Sequence, residues 1–545
     1  MSDRPRSSRT ALAHLIPSRR QLLLGGVASL GAVALGPAPA ASAASGPATP
    51  GLVGAGSSYA VDRLTLHRWA TDTWRSLVAL TDPGTGLPAD NIAGSLSAGD
   101  RSGYTSPTNI GGLLWSAVVA RELGIITSGD CTAMVRRTLE TLLDMTHHDP
   151  SGMYFNWYDE ATAEPLTTWP ENGNTIYPFV SSVDNGWLGA ALWVVRNSVP
   201  DAASLAGQIF DRMRWDAFYD AGDDPAHPVR PGGLMHGGFF PYDHDRPGGV
   251  YLGTHIGGDD VWLTTHHYDT IVSETRITSY LGIMTGQVPA RHYFAPWRTF
   301  PATCDWSWHE MQPVGENRTY LGIDVYEGAY TYRDMRIVPG WGGSMFEELM
   351  PDVFVPEESW GPRSWGRNHP LHVRAQREHG LDEAGYGYWG FSPSSNPAGG
   401  YREYGLDALG MNPEGYFSDQ ERTNYDVGFG TCRPATNPSP TYGDGVVTPH
   451  AAFLAMMHEG GQAYANLLRI ERKLEAYGEG GFFDAVAVRS GTIARRYLSL
   501  DQAMVMGALG NVLGDGVLRR AFSTSSVERV LKPVIAMEEF GAGAG

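Results

Sequence analysis

Carboxylates that stand among aromatic and apolar residues are the side chains of this sequence best suited to chemistry. The stretch "VSETRITSYLG" (residues 272–282) places Glu274 two positions before Arg276. Apolar surroundings raise the pKa of a carboxyl group, which then holds a proton that it can donate near neutral pH. Two alternatives remain for Glu274: a solvated helix charge, or half of a structural ion pair with Arg276 or Arg291. Glu274 is therefore a candidate catalytic acid.

Three further regions place carboxylates in similar surroundings. They are "FNWYDE" with Asp159 followed by "SSVDNGWLG" with Asp184, "GWGGSMFEELMP" with Glu347 and Glu348, and "EGGFFDAVAV" with Asp484 followed by "YLSLDQAMVM" with Asp501. Asp184 could instead be the N-cap of an apolar helix. Adjacent helical residues point about 100° apart, so at most one of Glu347 and Glu348 can easily face a cleft. Cleavage of a glycosidic bond needs two carboxyl groups, one that protonates the leaving oxygen and one that activates water or attacks the sugar.

Aromatic residues accompany these acids. The chain has 16 Trp and 25 Tyr, many of them in loops rich in Gly and Pro. Aromatic rings with a polar edge stack on sugar faces and hydrogen-bond to hydroxyl groups. They could equally fill a large core, but their clustering with acids favours a carbohydrate cleft. The candidate sugar-binding aromatics are Trp157, Tyr158, Trp341, Tyr388 and Trp389.

Composition and motifs exclude several other functions. A formal net charge of -19 argues against nucleic acid as a partner, because phosphate binding needs clustered Lys and Arg. The sequence has no G-x-S-x-G elbow, and no P-loop or G-x-G-x-x-G motif opens a helix. Adjacent histidines (147–148 and 266–267) seldom chelate one ion, so we expect no metal and no cofactor; a structural calcium in the Asp-rich loops "DAGDDP" and "GGDD" stays open, although neither follows the EF-hand spacing. Cys131, Cys304 and Cys432 allow at most one disulfide and leave one thiol over.

The first fifty residues have the pattern of an export signal. A twin-arginine start, "SRRQLLL" (18–24), precedes a short Gly- and Ala-rich run with Ala-x-Ala endings. We expect 1–50 to be a twin-arginine-type signal peptide with a disordered start, and the protein to be secreted, without a membrane span after signal removal, and monomeric. No linker or low-complexity segment divides the remainder, so 51–535 is predicted to be a single catalytic domain.

Helical periodicity recurs along the chain and strand-like alternation is scarce and short. This pattern predicts an all-α fold with an irregular rim formed by the long loops 216–262, 287–340 and 385–448, which suggest function by their length. Periodicity alone does not establish an (α/α)6 barrel. The predicted helices are 61–80, 109–123, 130–147, 183–197, 201–214, 266–285, 368–379, 450–458, 461–476, 493–513 and 524–533.

Several of these stretches together resemble one family, the glycoamylase-like domain. The family includes bacterial β-1,2-glucanases and the transglycosylase domain of cyclic β-1,2-glucan synthases. The resemblance spans about residues 60–520 and rests on "HYDTIVSETRITSYLGIMTGQVPARHYF", "GWGGSMFEELMP", "GVVTPHAAFLAMMHEGGQAYANLLRIE", "GGFFDAV" and "RRYLSLDQAMVM". It implies an (α/α)6 barrel with long loops forming a cleft at one rim.

The same resemblance assigns roles to residues. It implies that Glu274 is the general acid and that the base is one of Asp484, Asp184 and Asp159, the last two of which match acidic positions that line the cleft. Arg276 and Glu347, which lie in matched segments, are expected to bind the substrate.

The second carboxylate separates two branches of this family. The retaining branch has a nucleophilic Glu in a segment of the form W-G-I-S-E-S, and the matching segment here is "WGFSPS" (389–394), with Pro393 in its place. Pro393 cannot be a nucleophile, which favours an inverting, water-using mechanism.

Three functional hypotheses remain open. The first is a secreted, inverting β-1,2-glucanase. The second is an α-glucan exohydrolase of glucoamylase type, or another cell-wall glycan hydrolase, on the same scaffold. The third is a non-catalytic glycan-binding protein.

Overall fold

The computed structural model describes residues 60–242, 248–254, 260–304, 309–411, 427–435 and 442–545. The predicted signal peptide, residues 1–50, lies outside the described residues and stays a prediction. Among the described residues, no helix combines the length and the apolar character that crossing a membrane requires.

Helices form the scaffold of the fold. They are α1 Arg63–Leu80, α2 Pro107–Glu122, α3 Ser128–Asp144, α4 Ser182–Ser198, α5 Ala203–Arg212, α6 Arg276–Met284, α7 Met345–Leu349, α8 Glu357–Trp360, α9 Trp365–Glu378, α10 Pro449–Lys473, α11 Ser499–Leu513, α12 Val517–Phe522 and α13 Ser525–Ile535. Single turns of tighter or wider helix occur at Ala98–Asp100, Pro200–Ala202, Trp215–Phe218, Ala290–Phe294, Pro351–Val353, His379–Glu383 and Asp407–Leu409.

Two kinds of helix alternate along much of the chain. Helices α2, α4 and α11 are buried along nearly their whole length. Helices α1, α3, α5 and α13 bury one stripe and expose the rest. A helix that is apolar on every face lies inside a protein, whereas an amphipathic helix lies at its surface. The apolar pattern of each helix therefore distinguishes the inner helices from the outer ones.

The inner helices pack against one another in a closed order. Contacts run from α2 to α4, from α4 to α6, from α7 to α10, from α10 to α11, and from α11 back to α2. Helices α6 and α7 are joined by the Arg276 guanidinium, which donates to the carbonyls of Glu347 and Glu348. The N-terminal ends of α6 and α7 therefore lie close together, and this region carries Glu274, Glu347 and Glu348.

Most predicted helices are present, and two begin later than expected. Residues 266–275 are not helical, because the backbone of Asp269 and Ile271 pairs with Trp297 instead of continuing a helix. Glu274 therefore lies in the turn before α6, which corrects its predicted place within a helix. Residues 493–498 form short strands, whose Arg496 carbonyl accepts from the Asp484 N–H. Helix α10 joins the two segments predicted at 450–458 and 461–476 across a non-helical residue, Glu459.

Short strands are more numerous than the predicted all-α class allows. The Gly-rich connections close on themselves as hairpins and small sheets of two to four strands. The strands are β1 Asn91–Ala93, β2 His147–His148, β3 Met153–Tyr154, β4 Val180–Ser181, β5 Tyr219–Asp220, β6 Leu234–His236, β7 Gly238–Phe240, β8 Val250–Thr254, β9 Asp260–Thr264, β10 His267–Tyr268, β11 Asn317–Tyr320, β12 Ile323–Tyr326, β13 Tyr330–Tyr332, β14 Met335–Ile337, β15 Ser394–Ser395, β16 Tyr401–Arg402, β17 Val446–Val447, β18 Tyr477–Gly478, β19 Gly481–Phe482, β20 Ala485–Ala487, β21 Ile493–Ala494, β22 Arg496–Leu498 and β23 Gly543–Ala544.

Helices α4 and α6 approach closely at a glycine. A Cβ atom placed on Gly186 of α4 would overlap the hydroxyl of Thr278 on α6. The Thr278 hydroxyl donates to the Ser182 carbonyl of α4 at 3.0 Å, so the two backbones are joined at this point. This contact sets the distance between Trp187, on α4, and the turn that carries Glu274.

One hydrophobic cluster extends from Leu66 to Ala542 and includes residues beyond the predicted boundary at 535. Strand β23 pairs with β14, so the chain is packed to its last residues. Cys304 and Cys432 form a disulfide across 128 residues, and Cys131 is a buried free thiol. The disulfide joins two of the long loop regions.

Removing this disulfide should destabilise the protein. In the chain-entropy description, a cross-link that closes 128 residues contributes about 5 kcal/mol. We expect the double variant Cys304→Ser/Cys432→Ser to unfold at a lower temperature than the wild type. A reducing agent should lower the melting temperature of the wild type to that of the variant and leave the variant unchanged. Equal melting temperatures in oxidising buffer would contradict a stabilising role.

Candidate active site

The carboxyl group of Glu274 is held in a buried position by a tryptophan. Glu274 is 7% exposed, and its Oε2 accepts a hydrogen bond from Trp187 Nε1 at 2.9 Å. Trp187 is itself buried on α4, one turn after Asp184. The backbone N–H of Glu274 donates to Glu347 Oε2 at 2.6 Å. The turn before α6 is therefore fixed from two sides, by α4 and by α7.

Arg276 is a structural residue rather than a substrate-binding one, which corrects its predicted role. Its Nε and one terminal nitrogen bond the two oxygens of Glu357, at 2.8 and 3.0 Å. Its remaining donors reach the carbonyls of Ser273, Glu347 and Glu348. These five bonds use all the guanidinium N–H groups. Arg276 therefore has no donor left for a sugar, and its ion pair is with Glu357.

The two neighbouring glutamates of α7 point in different directions, as the helix geometry predicts. Glu348 is fully buried and accepts from Asn368 and from His369. Burial alone would raise the pKa of Glu348, but the charge and hydrogen bond of His369 lower it. Glu347 is partly exposed, and burial of its carboxyl raises the pKa to about 7. Glu347 is thus the member of the pair that shares the site of Glu274.

Tyr268 is the common neighbour of three acids. Burial raises the pKa of the Tyr268 phenol well above its usual value, and the charges of Glu274, Glu347 and Asp184 add to this effect. Glu347 accepts from the Glu274 N–H, and Trp187, which holds the Glu274 carboxyl, lies one turn after Asp184, so the three acids belong to adjoining segments. Sequence reasoning missed Tyr268, because a tyrosine beside two histidines carries no signal of its own.

Asp184 is not the N-cap of its helix. Ser181 caps α4 by accepting from the Asp184 N–H, and Asp184 lies in the first turn. The Asp184 carboxylate is fully buried, and its Oδ1 accepts from the Thr108 hydroxyl at 2.6 Å. Its Oδ2 accepts from the Asn156 amide at 2.7 Å in the amide orientation that satisfies both partners. Both carboxylate oxygens of Asp184 are therefore held by side chains of other segments.

Asp484 belongs to a second buried group of acids. It is 2% exposed, and its Oδ2 accepts from the Ser395 N–H at 2.6 Å. Asp501 and His450 lie beside it, with candidate ligand atoms of all three within 4.8 Å of one another. Burial, followed by the charge of Asp501, raises the pKa of Asp484 well above its usual value. Ser395 lies two residues after Pro393, so Asp484 adjoins the segment of the missing nucleophile.

The remaining predicted residues are mostly placed in the core. Tyr158 is fully buried, and its hydroxyl donates to the Thr146 carbonyl at 2.7 Å. Trp389 is 1% exposed and packs in the main hydrophobic cluster. Predicted sugar contacts by Tyr158 and Trp389 are therefore wrong, because neither ring is accessible. Asp159 Oδ1 accepts from the N–H groups of Ala161 and Thr162, and so closes a turn.

Trp157 and Trp341 are 5% and 8% exposed, and Tyr388 is partly exposed. Trp157 packs edge-on against Tyr104 and Trp169. Trp341 belongs to a separate small core, and Tyr388 lies under the guanidinium of Arg469. Sugar binding by these three residues stays a prediction.

A cavity of about 480 Å³ lies beside the Asp484 group. Its lining includes Ser395, whose N–H holds Asp484, and Asp90, which accepts from Asn109 next to Thr108. Tyr104, Trp169 and Glu171 supply an aromatic and acidic wall. These lining residues come from segments far apart in the chain, so the sequence did not identify the wall. The stretch "TTWPENGN" (167–174) combines Trp with Glu and Asn and could have marked it.

Parts of this chain match two protein-family models and one characterised relative. Residues 266–526 match the Glycoamylase family model, described as "Putative glucoamylase", and residues 68–223 match a family described as a protein of unknown function. Residues 266–526 are thus similar to the glycoamylase-like family. The cyclic beta-(1,2)-glucan synthase NdvB of Rhizobium meliloti (strain 1021) is 27% identical over 275 residues, which are 48% of this chain and 8% of NdvB. The chain thus spans less than a tenth of the length of that relative.

Solved structures share the fold over most of the chain. An endo-beta-1,2-glucanase from Chitinophaga pinensis, in complex with sophorotriose and glucose, has a TM-score of 0.58, 14% identity, and coverage of 87% of this chain and 98% of its own. An endo-beta-1,2-glucanase mutant from Talaromyces funiculosus, in complex with beta-1,2-glucan, has a TM-score of 0.57, 13% identity, and coverage of 89% and 93%. At these identities the likeness establishes the glucoamylase-like fold.

The ion pair beneath the site should be essential for stability. In Glu357→Gln the buried Arg276 loses its counter-charge, and a variant of this kind typically loses about 3–5 kcal/mol. We expect a correspondingly lower free energy of unfolding in urea. The matched control is Glu140→Gln, which breaks an exposed pair with Arg136 on α3. If both variants unfold at the same urea concentration, the buried pair does not hold α6 to α7.

Proposed function

We propose that this chain is an inverting glycoside hydrolase of β-1,2-glucan, with Glu274 as the general acid. The observation that carries the proposal is the placement of Glu274, a buried carboxyl fixed by Trp187 on a turn whose backbone is held by Glu347. The likeness to NdvB and to β-1,2-glucanase folds supports the substrate class. The closed order of inner helices supports an (α/α)6 barrel around this site. A glycosidase needs such an enclosed pair of carboxyl groups.

Asp484 is the preferred base among the three predicted aspartates. Asp159 accepts from two backbone N–H groups of its turn, and both oxygens of Asp184 accept from side chains. Asp484 Oδ1 accepts no hydrogen bond from the described residues. A base needs such an open lone pair to receive a proton. Proline at position 393 cannot serve as the nucleophile of the retaining mechanism. In this proposal Asp484 therefore accepts a proton from water.

The proposed reaction uses two proton transfers. The Glu274 carboxyl donates its proton to the glycosidic oxygen as the bond from that oxygen to the anomeric carbon breaks. Water attacks the anomeric carbon from the opposite face and loses its proton to Asp484, directly or through a substrate hydroxyl. The product sugar therefore has inverted anomeric configuration, and Glu274 ends as a carboxylate.

Export belongs to the same proposal. The twin-arginine pattern in residues 1–50 is that of a secreted protein. The disulfide between Cys304 and Cys432 supports this assignment, because structural disulfides persist mainly in oxidising compartments.

Glu274→Gln should abolish hydrolysis while leaving the fold intact. Glutamine keeps an oxygen for Trp187 but has no acidic proton, and general acid catalysis contributes about 10² to 10⁴ in rate. We expect a loss of at least about 100-fold on β-1,2-glucan, with Glu140→Gln as the unaffected control. The assay compares β-1,2-glucan, laminarin, starch and arabinan, and NMR follows the anomer released.

The same panel separates the alternatives. Activity on starch alone would favour a glucoamylase-type exohydrolase. The matched family model is described as "Putative glucoamylase", which is why this alternative is included. Binding without turnover, together with indifference to Glu274→Gln, would favour a glycan-binding protein. Release of the retained anomer would disprove inversion.

Asp501 should set the acidic limit of activity through Asp484. Burial and the Asp501 charge raise the pKa of Asp484, so the base is ionised only above that raised value. Asp501→Asn removes the charge and lowers the pKa of Asp484. We expect the acidic limb of the kcat/KM profile to move to lower pH. Asp211→Asn, at an exposed pair with Arg196, is the control. An unmoved limb would show that Asp484 is not the titrating base.

A further inference from the structure

Two histidines and an aspartate meet on a small sheet outside the carboxylates described above. Asp220 lies on β5, His236 on β6 and His267 on β10, and these strands form one three-stranded sheet. Asp220 Oδ2 is 2.9 Å from His267 Nε2 and 3.6 Å from His236 Nε2. The centres of the two imidazole rings are 4.3 Å apart. Three potential ligand atoms therefore converge on one point.

The strand register forces this arrangement. His267 lies directly opposite His236 in the antiparallel pairing of β10 with β6. Asp220 pairs with Leu234, which is two residues from His236 and therefore on the same face of β6. Directly opposite and diagonal side chains on one sheet face are the ones that touch. The neighbour of His267 on β10, Tyr268, lies on the opposite face by the same alternation.

Hydrogen bonds behind the cluster orient its atoms toward the shared point. His236 Nδ1 lies 2.9 Å from the Thr264 carbonyl, to which only a protonated nitrogen can donate. Nε2 of the neutral ring therefore carries the lone pair that faces Asp220. Asp220 Oδ1 accepts from the Gly222 N–H at 2.8 Å, which leaves Oδ2 for the cluster. A backbone carbonyl behind a histidine and a donor behind a carboxylate are usual around metal ligands.

The spacing and exposure fit a divalent transition-metal ion. Two donors bound to Zn²⁺ at 2.0–2.1 Å lie about 3.3 Å apart in a tetrahedral site, and the two Asp220–His distances fall on either side of this value. The Asp220 and His267 side chains are 11% and 12% exposed, so a water can complete the coordination. Imidazole ligands favour zinc and its first-row neighbours over Ca²⁺ and Mg²⁺.

We propose that Asp220, His236 and His267 bind a divalent first-row transition-metal ion, with zinc as the probe. The sequence did not predict this site, because its second imidazole comes from another strand. The Asp-rich loop "DAGDDP", in which the sequence leaves a calcium open, begins at Asp220. The ion would fasten β10 to β5 and β6, and so fix the strand that presents Tyr268 to Glu274, Glu347 and Asp184. The site is structural in this proposal, which does not depend on the hydrolase activity.

Zinc binding by the full-length protein tests the site. The protein is stripped with EDTA, titrated with Zn²⁺ in a calorimeter, and assayed for zinc after gel filtration. We expect wild-type protein to retain zinc, and His267→Gln and Asp220→Asn to bind it at least about tenfold more weakly. His147→Gln is the matched control, because His147 has a single nearby carboxylate, Asp149. Circular dichroism establishes that each variant is folded.

The outcomes decide the proposal. Zinc uptake that is equal in wild type, His267→Gln and Asp220→Asn would place the metal elsewhere and overturn it. Folded wild-type protein that retains no zinc would also overturn it. Anomalous diffraction from zinc-soaked crystals of the wild type should show the ion between the three side chains, and a peak at another position would contradict the proposal even if no variant folds.

Discussion

The buried ion pair between Arg276 and Glu357 is the interaction on which the site depends. Its guanidinium bonds a carboxylate and three main-chain carbonyls, so it ties the turn before α6 to helix α7. Trp365 covers the guanidinium, with 4.4 Å from its central carbon to the ring centre. A buried ion pair contributes little net stability against an apolar replacement, but it accepts few other geometries. The positions of Glu274 and Glu347 follow from this one arrangement.

Differences in local environment give similar carboxyl groups different states. Glu347 and Glu348 are adjacent in sequence, yet burial raises the pKa of the first to about 7, and His369 lowers the pKa of the second. Asp484 has a raised pKa because a like charge, Asp501, joins the effect of burial. An enzyme that protonates the glycosidic oxygen and removes a proton from water needs two carboxyl groups with different pKa values at the same pH. Here the inequality comes from the neighbours, since the residue types are nearly the same.

The sequence predicted the helical scaffold well because periodicity reports which faces are buried. It predicted the start of α6 poorly, since the pairing of residues 269–271 with Trp297 is a tertiary contact that periodicity does not record. Aromatic residues beside acids in the sequence were a weak guide to sugar contacts. Tyr158 and Trp389 point into the core, and their side of the backbone depends on packing with distant segments. The cavity wall and the His–Asp–His cluster are likewise assembled from several segments, so neither has a local signature.

At Gly186 the helix propensity of the residue conflicts with the packing of α4 against α6. Scored by helix propensity, a glycine in the middle of α4 costs about 1 kcal/mol relative to alanine, so a stability-guided redesign would replace it. A methyl group there would push α6 away from α4 at the Thr278 contact. The hydrogen bond from Trp187 to Glu274 spans the same helix pair and would lengthen with it. A more stable helix in isolation would thus give a less exact placement of the acid, and the overlap with Thr278 would offset the gain in helix propensity.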